Sequence, residues 1–357
     1  MKNKGMEKMK ALKLYGIRDI RFETAEDPVI QNPKEVKIKV KAVGICGSDI
    51  SRYAKLGPYV PGMVWGHEFS GEVVEIGSEV TKVKLGQKVT ACPALYCGVC
   101  DSCKKAKFAQ CEELDVIGAH RYGAFAEYIV MPEENIVPVP DSVSYDHAAV
   151  VEPSCVVVHG YYKTGIQAGD TVAVIGCGTI GLLAIQWAKI FGAKSVIAID
   201  IDDAKLGMAK DVGADIVINS MGKEPSEEVY KVTGNKGVDI SVESAGTPIT
   251  SAQAFSLTGK GGKVLFVGIP YGDVMVKRLY FEKIVRNELK IFGSWNAISA
   301  PFPGKEWETS VHFIENGQLK IEPFITHRYP LRQGTEAFEM VANRKEHFGK
   351  IMFHPEE

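Results

Sequence analysis

Several things are scarce in this chain, and each scarcity removes a class of function. No stretch of the 357 residues approaches a charge-free membrane span. The opening MKNKGMEKMK is charged and leads into no apolar core of the secretory kind, so a cytoplasmic protein is expected. Neither sign of charge dominates: 42 Lys+Arg against 44 Asp+Glu leave a formal net charge of −2. A broad positive field that would gather nucleic acid or anionic lipid is therefore absent, and any partner is recognised locally. Cysteine is also sparse, 8 in all. That is too few for a disulfide scaffold in a chain this long, and four of them bunch between Cys97 and Cys111, which points to metal. There is no internal repeat and no low-complexity linker.

What remains, 45% hydrophobic and 24% charged residues, is the composition of a globular protein too long for one compact core and suited to two domains. Residues 36–43 (VKIKVKAV) alternate apolar and charged, the period of a half-buried strand, and glycines at 44, 47, 57 and 62 punctuate the stretch beyond it. The texture changes at Gly169. TVAVIG (171–176) reads as a buried strand, Thr179 to Phe191 as a helix and SVIAID (195–200) as a second strand, which makes a βαβ unit. Further short apolar runs, with cores at 215–219, 238–244, 263–269 and 289–295, extend the series to six strands. A parallel, doubly wound α/β sheet of Rossmann type is expected. After Trp295 the pattern breaks, and a helical stretch, EWETSVHFIENG, precedes the tail. The expected organisation is a mainly β catalytic domain over 1–155 and 297–357, with a metal lobe about 92–112, split by a dinucleotide-binding domain over 156–296.

The motif G-C-G-T-I-G at 176–181 comes directly after a strand and opens a helix, the context that gives a G-x-G-x-x-G match its meaning. Gly176 allows the tight turn, Gly178 lets backbone approach a pyrophosphate, and Gly181 lets helix pack on strand. The phosphates would lie at the positive end of the helix that Thr179 and Ile180 begin. Asp200 ends the second strand at the offset of a ribose ligand. A carboxylate there accepts from a ribose diol and repels a 2′-phosphate, so NAD is expected over NADP.

Two constellations suggest metal. Cys97, Cys100, Cys103 and Cys111, spaced C-x2-C-x2-C-x7-C, can wrap one tetrahedral ion in thiolates, a closed structural zinc pattern. An iron–sulfur cluster fits less well, because the final gap is long and Glu112, not proline, comes after Cys111. The second set is dispersed: Cys46 in GICGSD, His67 and Glu68 in WGHEF, and Glu152 in VVEPS. Singly, each has an ordinary reading as a small core residue or a solvated loop side chain. Spacing alone leaves open whether they share a metal.

Together, CGSD (46–49), GHEFSGEVVEIGSEV (66–80), the four-cysteine lobe and AVIGCGTIG (173–181) resemble the zinc-containing medium-chain dehydrogenases, over nearly the whole chain. The resemblance implies a GroES-like catalytic domain, two zinc ions per chain and an NAD-linked oxidation of a secondary alcohol. It implies that Cys46, His67 and Glu152 hold the catalytic zinc, with Glu68 beside it or as an exchangeable fourth ligand, and that the Ser48 hydroxyl takes the first step of proton removal. Many relatives place a histidine three residues further on, where this chain has Ser51. A serine is no base near neutral pH, so ribose hydroxyls with water, or a glutamate near the metal, would carry the proton out.

Within the family, HEFSG (67–71), FAEYIV (125–130), GTIGLLAIQ (178–186) and above all GSW with PG.EWET (293–309) resemble a polyol-phosphate branch. The expected reaction is galactitol 1-phosphate to tagatose 6-phosphate. Free polyols such as sorbitol or xylitol, butanediol and L-threonine are the alternatives. Sorbitol is disfavoured because the arginine that its dehydrogenases carry is missing from Gly293-Ser294-Trp295-Asn296. His120 and Arg121 are the candidate phosphate ligands. A non-catalytic NAD-binding relative is the alternative of another kind, and the intact Cys46, His67 and Glu152 argue against it. Relatives are commonly homodimers or homotetramers.

Overall fold

A computed structural model describes residues 8–343 and 345–356. Most of the charged opening segment, residues 1–7, lies outside the described residues. By packing, the chain divides into one unit of Met1–Glu152, Ile298–Glu315 and Ile325–Glu357 and a second of Pro153–Ala297 and Asn316–Phe324. Among the described residues no helix is long and apolar enough to cross a membrane.

In chain order the strands are β1 (Lys8–Gly16), β2 (Asp19–Glu26), β3 (Glu35–Gly44), β4 (Met63–Val64), β5 (Glu68–Ile76), β6 (Lys88–Ala91), β7 (Ala94–Leu95), β8 (Asp115–Val116), β9 (Tyr128–Pro132) and β10 (Ile136–Pro138). The second unit supplies β11 (Thr171–Ile175), β12 (Ser195–Asp200), β13 (Ile216–Asn219), β14 (Val238–Glu243), β15 (Thr258–Phe266) and β16 (Lys290–Gly293). The tail adds β17 (Ile325–Pro330) and β18 (Lys350–His354).

The first unit is mainly β. Its largest sheet runs β10-β6-β5-β3-β18-β17, with β9 paired to β3 and a smaller β2-β1-β4 sheet beside it. β18 returns from the chain's end to pair antiparallel with β3, Met352 opposite Gly44. Phe125, Phe338 and Phe353 meet edge-on or tilted in the core between these strands. The alternation of 36–43 makes the expected strand, with one difference. Lys37 is buried, its ammonium 2.7 Å from Asp27 and over the Tyr128 ring. Because β3 is covered on both faces, a charge on its outer face needs a partner.

The second unit is the expected doubly wound sheet, six parallel strands in the order β13-β12-β11-β14-β15-β16. β11 is buried at every position, which is why its sequence is a continuous apolar run. β15 starts five residues before the expected KVLFVGI segment and stops at Phe266. There the Val267 N–H makes the last ladder bond, to the Glu243 carbonyl, and the Gly268 N–H shares that same carbonyl instead of advancing along β14, at 3.0 Å each.

Candidate functional site

The dispersed set is gathered by strand pairing. In the β3–β5 ladder Gly44 lies opposite Glu68, so the residues just beyond the end of one strand, Cys46, and just before the start of the other, His67, come to the same corner. Cys46 caps the short helix Gly47–Ser51, and its N–H donates to Asp49 Oδ2 at 2.9 Å. The helix Val151–Thr164 begins beside β5 because Ser70 Oγ donates at 2.6 Å to the carbonyl of Tyr145, in the short helix Tyr145–Ala149 just before it. Glu152 lies in the first turn of the longer helix.

Ligand atoms of Cys46, His67 and Glu68 all fall within 4.8 Å of one another. The carboxyl of Glu152 lies outside that set, although its field reaches His67, and Glu68 sits in the closer position. Three buried carboxyls, Asp49, Glu68 and Glu152, crowd this corner. Burial pushes Asp49 up to about 6 and Glu152 up to about 7. Burial disfavours the His67 imidazolium, yet the Cys46 sulfur, then Asp49 and Glu152, outweigh it and hold His67 well above its usual value. The corner gathers three carboxyls and a thiol around one buried ammonium, that of Lys350, and drives its histidine toward the cation, so it carries an excess of acid that a divalent ion would balance. Thiolate, imidazole and carboxylate are the donors zinc takes.

Lys350 of β18 is a member of this corner that no motif announces. Its ammonium is buried, ion-paired to Glu68 Oε2 and donates to the Ile45 carbonyl at 3.0 Å. A side chain at Gly44 would collide with both charged groups, its Cβ 2.8 Å from Glu68 Oε2 and 3.2 Å from Lys350 Nζ. A lysine set directly before the apolar run IMF of the final strand, KIMFH, is the trace this pair leaves in the sequence. Ser48 is exposed on the first turn after Cys46, and Ser51 is half-buried at that turn's end.

The four-cysteine lobe closes as expected. All four sulfurs lie within 4.8 Å of one another, and Cys97 and Cys103 are 4.0 Å apart. Zinc–sulfur bonds of about 2.3 Å in a tetrahedron put sulfurs about 3.8 Å apart. Backbone N–H groups of Cys97, Cys100 and Cys103 aim at the sulfurs of Cys111, Cys97 and Cys100. Bonds from the Glu112 and Cys103 backbone lower the Cys100 thiol to about 6, which favours the thiolate a metal needs.

In the second unit the three glycines differ in kind. A Cβ at Gly176, where φ is +91°, would meet Ala245, and one at Gly181 would sit 1.8 Å from the Gly176 carbonyl oxygen, whereas Gly178 has open space. Thr179 and Ile180 open the helix Thr179–Ile190 behind them. Asp200 reaches the glycine loop, accepting from Cys177 N–H at 2.7 Å and from Ile201 N–H at 2.7 Å.

His120 and Arg121 border a shallow cleft of about 390 Å³, but Arg121 is paired with Asp115 and His120 lies 3.5 Å from the same carboxylate. Arg121 is therefore already neutralised. His120 packs on Tyr59, 4.9 Å between centroids.

Comparison with known proteins agrees with this architecture. Residues 32–141 match the alcohol dehydrogenase GroES-like domain and residues 179–316 the zinc-binding dehydrogenase model. The chain is 34% identical over 354 residues to sorbitol dehydrogenase of Bacillus subtilis (strain 168), covering 98% of each chain. It is 36% identical over 336 residues to galactitol 1-phosphate 5-dehydrogenase of Escherichia coli (strain K12), covering 94% of this chain and 97% of that one. The crystal structure of galactitol-1-phosphate dehydrogenase from Escherichia coli superposes with a TM-score of 0.92 at 35% identity, over 97% of this chain and 100% of that one. The chain belongs to the zinc-containing medium-chain dehydrogenases. It is an NAD(P)-dependent zinc alcohol/polyol dehydrogenase.

Proposed function

We propose that the enzyme oxidises a polyol phosphate with NAD, the best candidate being galactitol 1-phosphate, oxidised at C5 to tagatose 6-phosphate. The reaction assignment is carried by the convergence of Cys46, His67 and Glu68 from the ends of β3 and β5, with the buried Glu152 carboxyl in the field of His67 and Glu68. The substrate is supported by the likeness to the galactitol 1-phosphate enzyme and by Gly293-Ser294-Trp295-Asn296, which offers no sorbitol-type arginine.

Cys46, His67 and Glu152 are the proposed ligands of a catalytic zinc. Glu68, its charge balanced by Lys350, is the weaker donor and the exchangeable neighbour. When bound, zinc would supply Lewis acidity to the substrate hydroxyl and NAD the hydride acceptor. Asp49 fixes the Cys46 backbone, and the exposed Ser48 hydroxyl takes the first proton transfer. The lobe of Cys97, Cys100, Cys103 and Cys111 holds a second, structural zinc. Gly176, Gly178, Thr179, Ile180 and Gly181 receive the pyrophosphate, and Asp200 the ribose. Preference for NAD over NADP rests on Asp200, and Asp200→Ala should weaken NAD and relax that preference.

A homodimer or homotetramer in the cytoplasm completes the proposal. β16 is an edge strand of its sheet with Ile291 exposed, and the helix Arg278–Arg286, which precedes it in the chain, exposes Leu279, Phe281 and Val285. A strand edge unpaired among the described residues and such an apolar face each invite a second chain.

Elemental analysis and turnover test the metal assignment together. The purified enzyme should hold close to two zinc ions. Cys46→Ser should abolish turnover with the fold intact, and Cys103→Ser should chiefly lower stability. Full activity in Cys46→Ser would overturn the catalytic site.

A further inference from the structure

Arg52 is singled out by what surrounds it. It caps the helix Gly47–Ser51, and its N–H donates to the carbonyls of Asp49 and Ser48. Residues four apart on a helix share a face, so Arg52 lies on the same face as Ser48, a turn away. Its guanidinium carbon lies 3.5 Å over the Tyr59 ring centroid, and Nη1 donates to the Gly57 carbonyl at 3.3 Å. Arg18, Arg21, Arg121 and Arg328 each face a carboxylate. Arg52 is half-buried and, among the described residues, faces none.

The platform beneath it leads back to the metal corner. Tyr59 stacks on Trp65 at 6.5 Å and 14° between ring planes, and Trp65 stands two residues before His67. The Trp65 indole Nε1–H is buried and meets no acceptor among the described residues, which leaves a second donor at this stack. His120 also packs on Tyr59, tilted at 44° with ring centroids 4.9 Å apart. A planar cation held flat, its donors in a fixed fork and uncompensated by acid, is suited to a phosphate dianion.

We propose that Arg52, laid on Tyr59 one helical turn from Ser48, is the anion-binding residue that receives the phosphate of the substrate, at the end of the polyol remote from the reacting carbon. The proposal rests on the polyol-phosphate reading above and puts Arg52 in place of His120 and Arg121, the phosphate ligands expected from the sequence.

The test is the ratio of kcat/KM for galactitol 1-phosphate to that for galactitol, measured with the zinc-loaded enzyme and NAD. Hydrogen bonds to charged groups predict that Arg52→Gln lowers this ratio roughly ten- to hundredfold, mostly through KM. Arg52→Lys should fall between, since it keeps the charge but loses the fork. NADH binding and zinc content report whether each variant is folded. Should Arg52→Gln not fold, Tyr59→Leu, at an exposed position, decides the matter: removal of the platform should lower the ratio several-fold. A wild-type enzyme with no preference for the phosphorylated substrate overturns the polyol-phosphate reading and this proposal with it. A wild-type preference that survives within twofold in Arg52→Gln, or in Tyr59→Leu where the first variant does not fold, overturns the Arg52 assignment alone.

Discussion

Replacing Lys350 with methionine, which nearly matches its volume, would strand the Glu68 carboxylate in the interior. The two side chains are only 2% and 3% exposed, so neither charge can turn to water. Removing one partner of such a pair costs about 3–5 kcal/mol, mainly because the other charge stays buried. The loss should be smaller with zinc bound, since a divalent cation beside Glu68 offsets part of that charge. Glu68→Gln in the same chain removes the stranded charge. The double variant should then regain most of the loss and remain about 1–2 kcal/mol below wild type, because the Ile45 carbonyl has also lost the Lys350 donor. Urea unfolding of zinc-loaded and chelator-treated protein measures each corner of this cycle. A cost below about 1 kcal/mol for Lys350→Met, or a double variant as unstable as the summed single variants, would mean that Lys350 and Glu68 are not a coupled buried pair.

The glycine loop offers a paired prediction. Gly178→Ala meets nothing within 4 Å among the described residues and should leave the melting temperature almost unchanged while weakening NAD about tenfold, because its Cβ enters the space for the pyrophosphate. Gly181→Ala, 1.8 Å from the Gly176 carbonyl oxygen, should lower stability as well as NAD affinity, and thermal melts with NADH titration separate the two. At acid pH, Asp146 should matter. Burial works against its charge, but hydrogen bonds from His354 and Arg328 outweigh it and hold its carboxyl below the ordinary aspartate value. That stabilisation is complete above the unfolded pKa and disappears as pH falls through the lower folded value. Wild type should therefore lose about 1–2 kcal/mol more than Asp146→Asn as pH falls from neutrality through that range, measured by denaturant midpoints.

Much of the second unit is legible in the sequence because its signals are local. A continuous apolar run, a glycine turn and an acid at the end of the next strand all lie between Thr171 and Asp200, and the chain uses them in that order. The four-cysteine lobe is legible for the same reason, since fifteen consecutive positions contain every donor. The metal corner is different. Cys46 and His67 meet because Gly44 pairs with Glu68, and no periodicity in the sequence encodes that register. Only the family resemblance joins them. Lys350 escapes notice because its partner lies 282 residues away, and a lysine in a strand ordinarily reads as an outward-facing residue. Lys37 reads as solvated for a related reason, the cover of β3 being supplied by segments distant in sequence. The Arg52, Tyr59 and Trp65 stack is hidden too, because each residue alone reads as loop or core.

Polyol-phosphate oxidation is read from the rate of NADH formation when zinc-loaded enzyme and NAD are given galactitol 1-phosphate, galactitol or sorbitol at fixed pH and two ionic strengths. Galactitol 1-phosphate should show the highest kcat/KM, with the new keto group at C5, and its advantage should shrink as salt screens the phosphate. Equal kcat/KM for phosphorylated and free galactitol, or an advantage indifferent to salt, would contradict it.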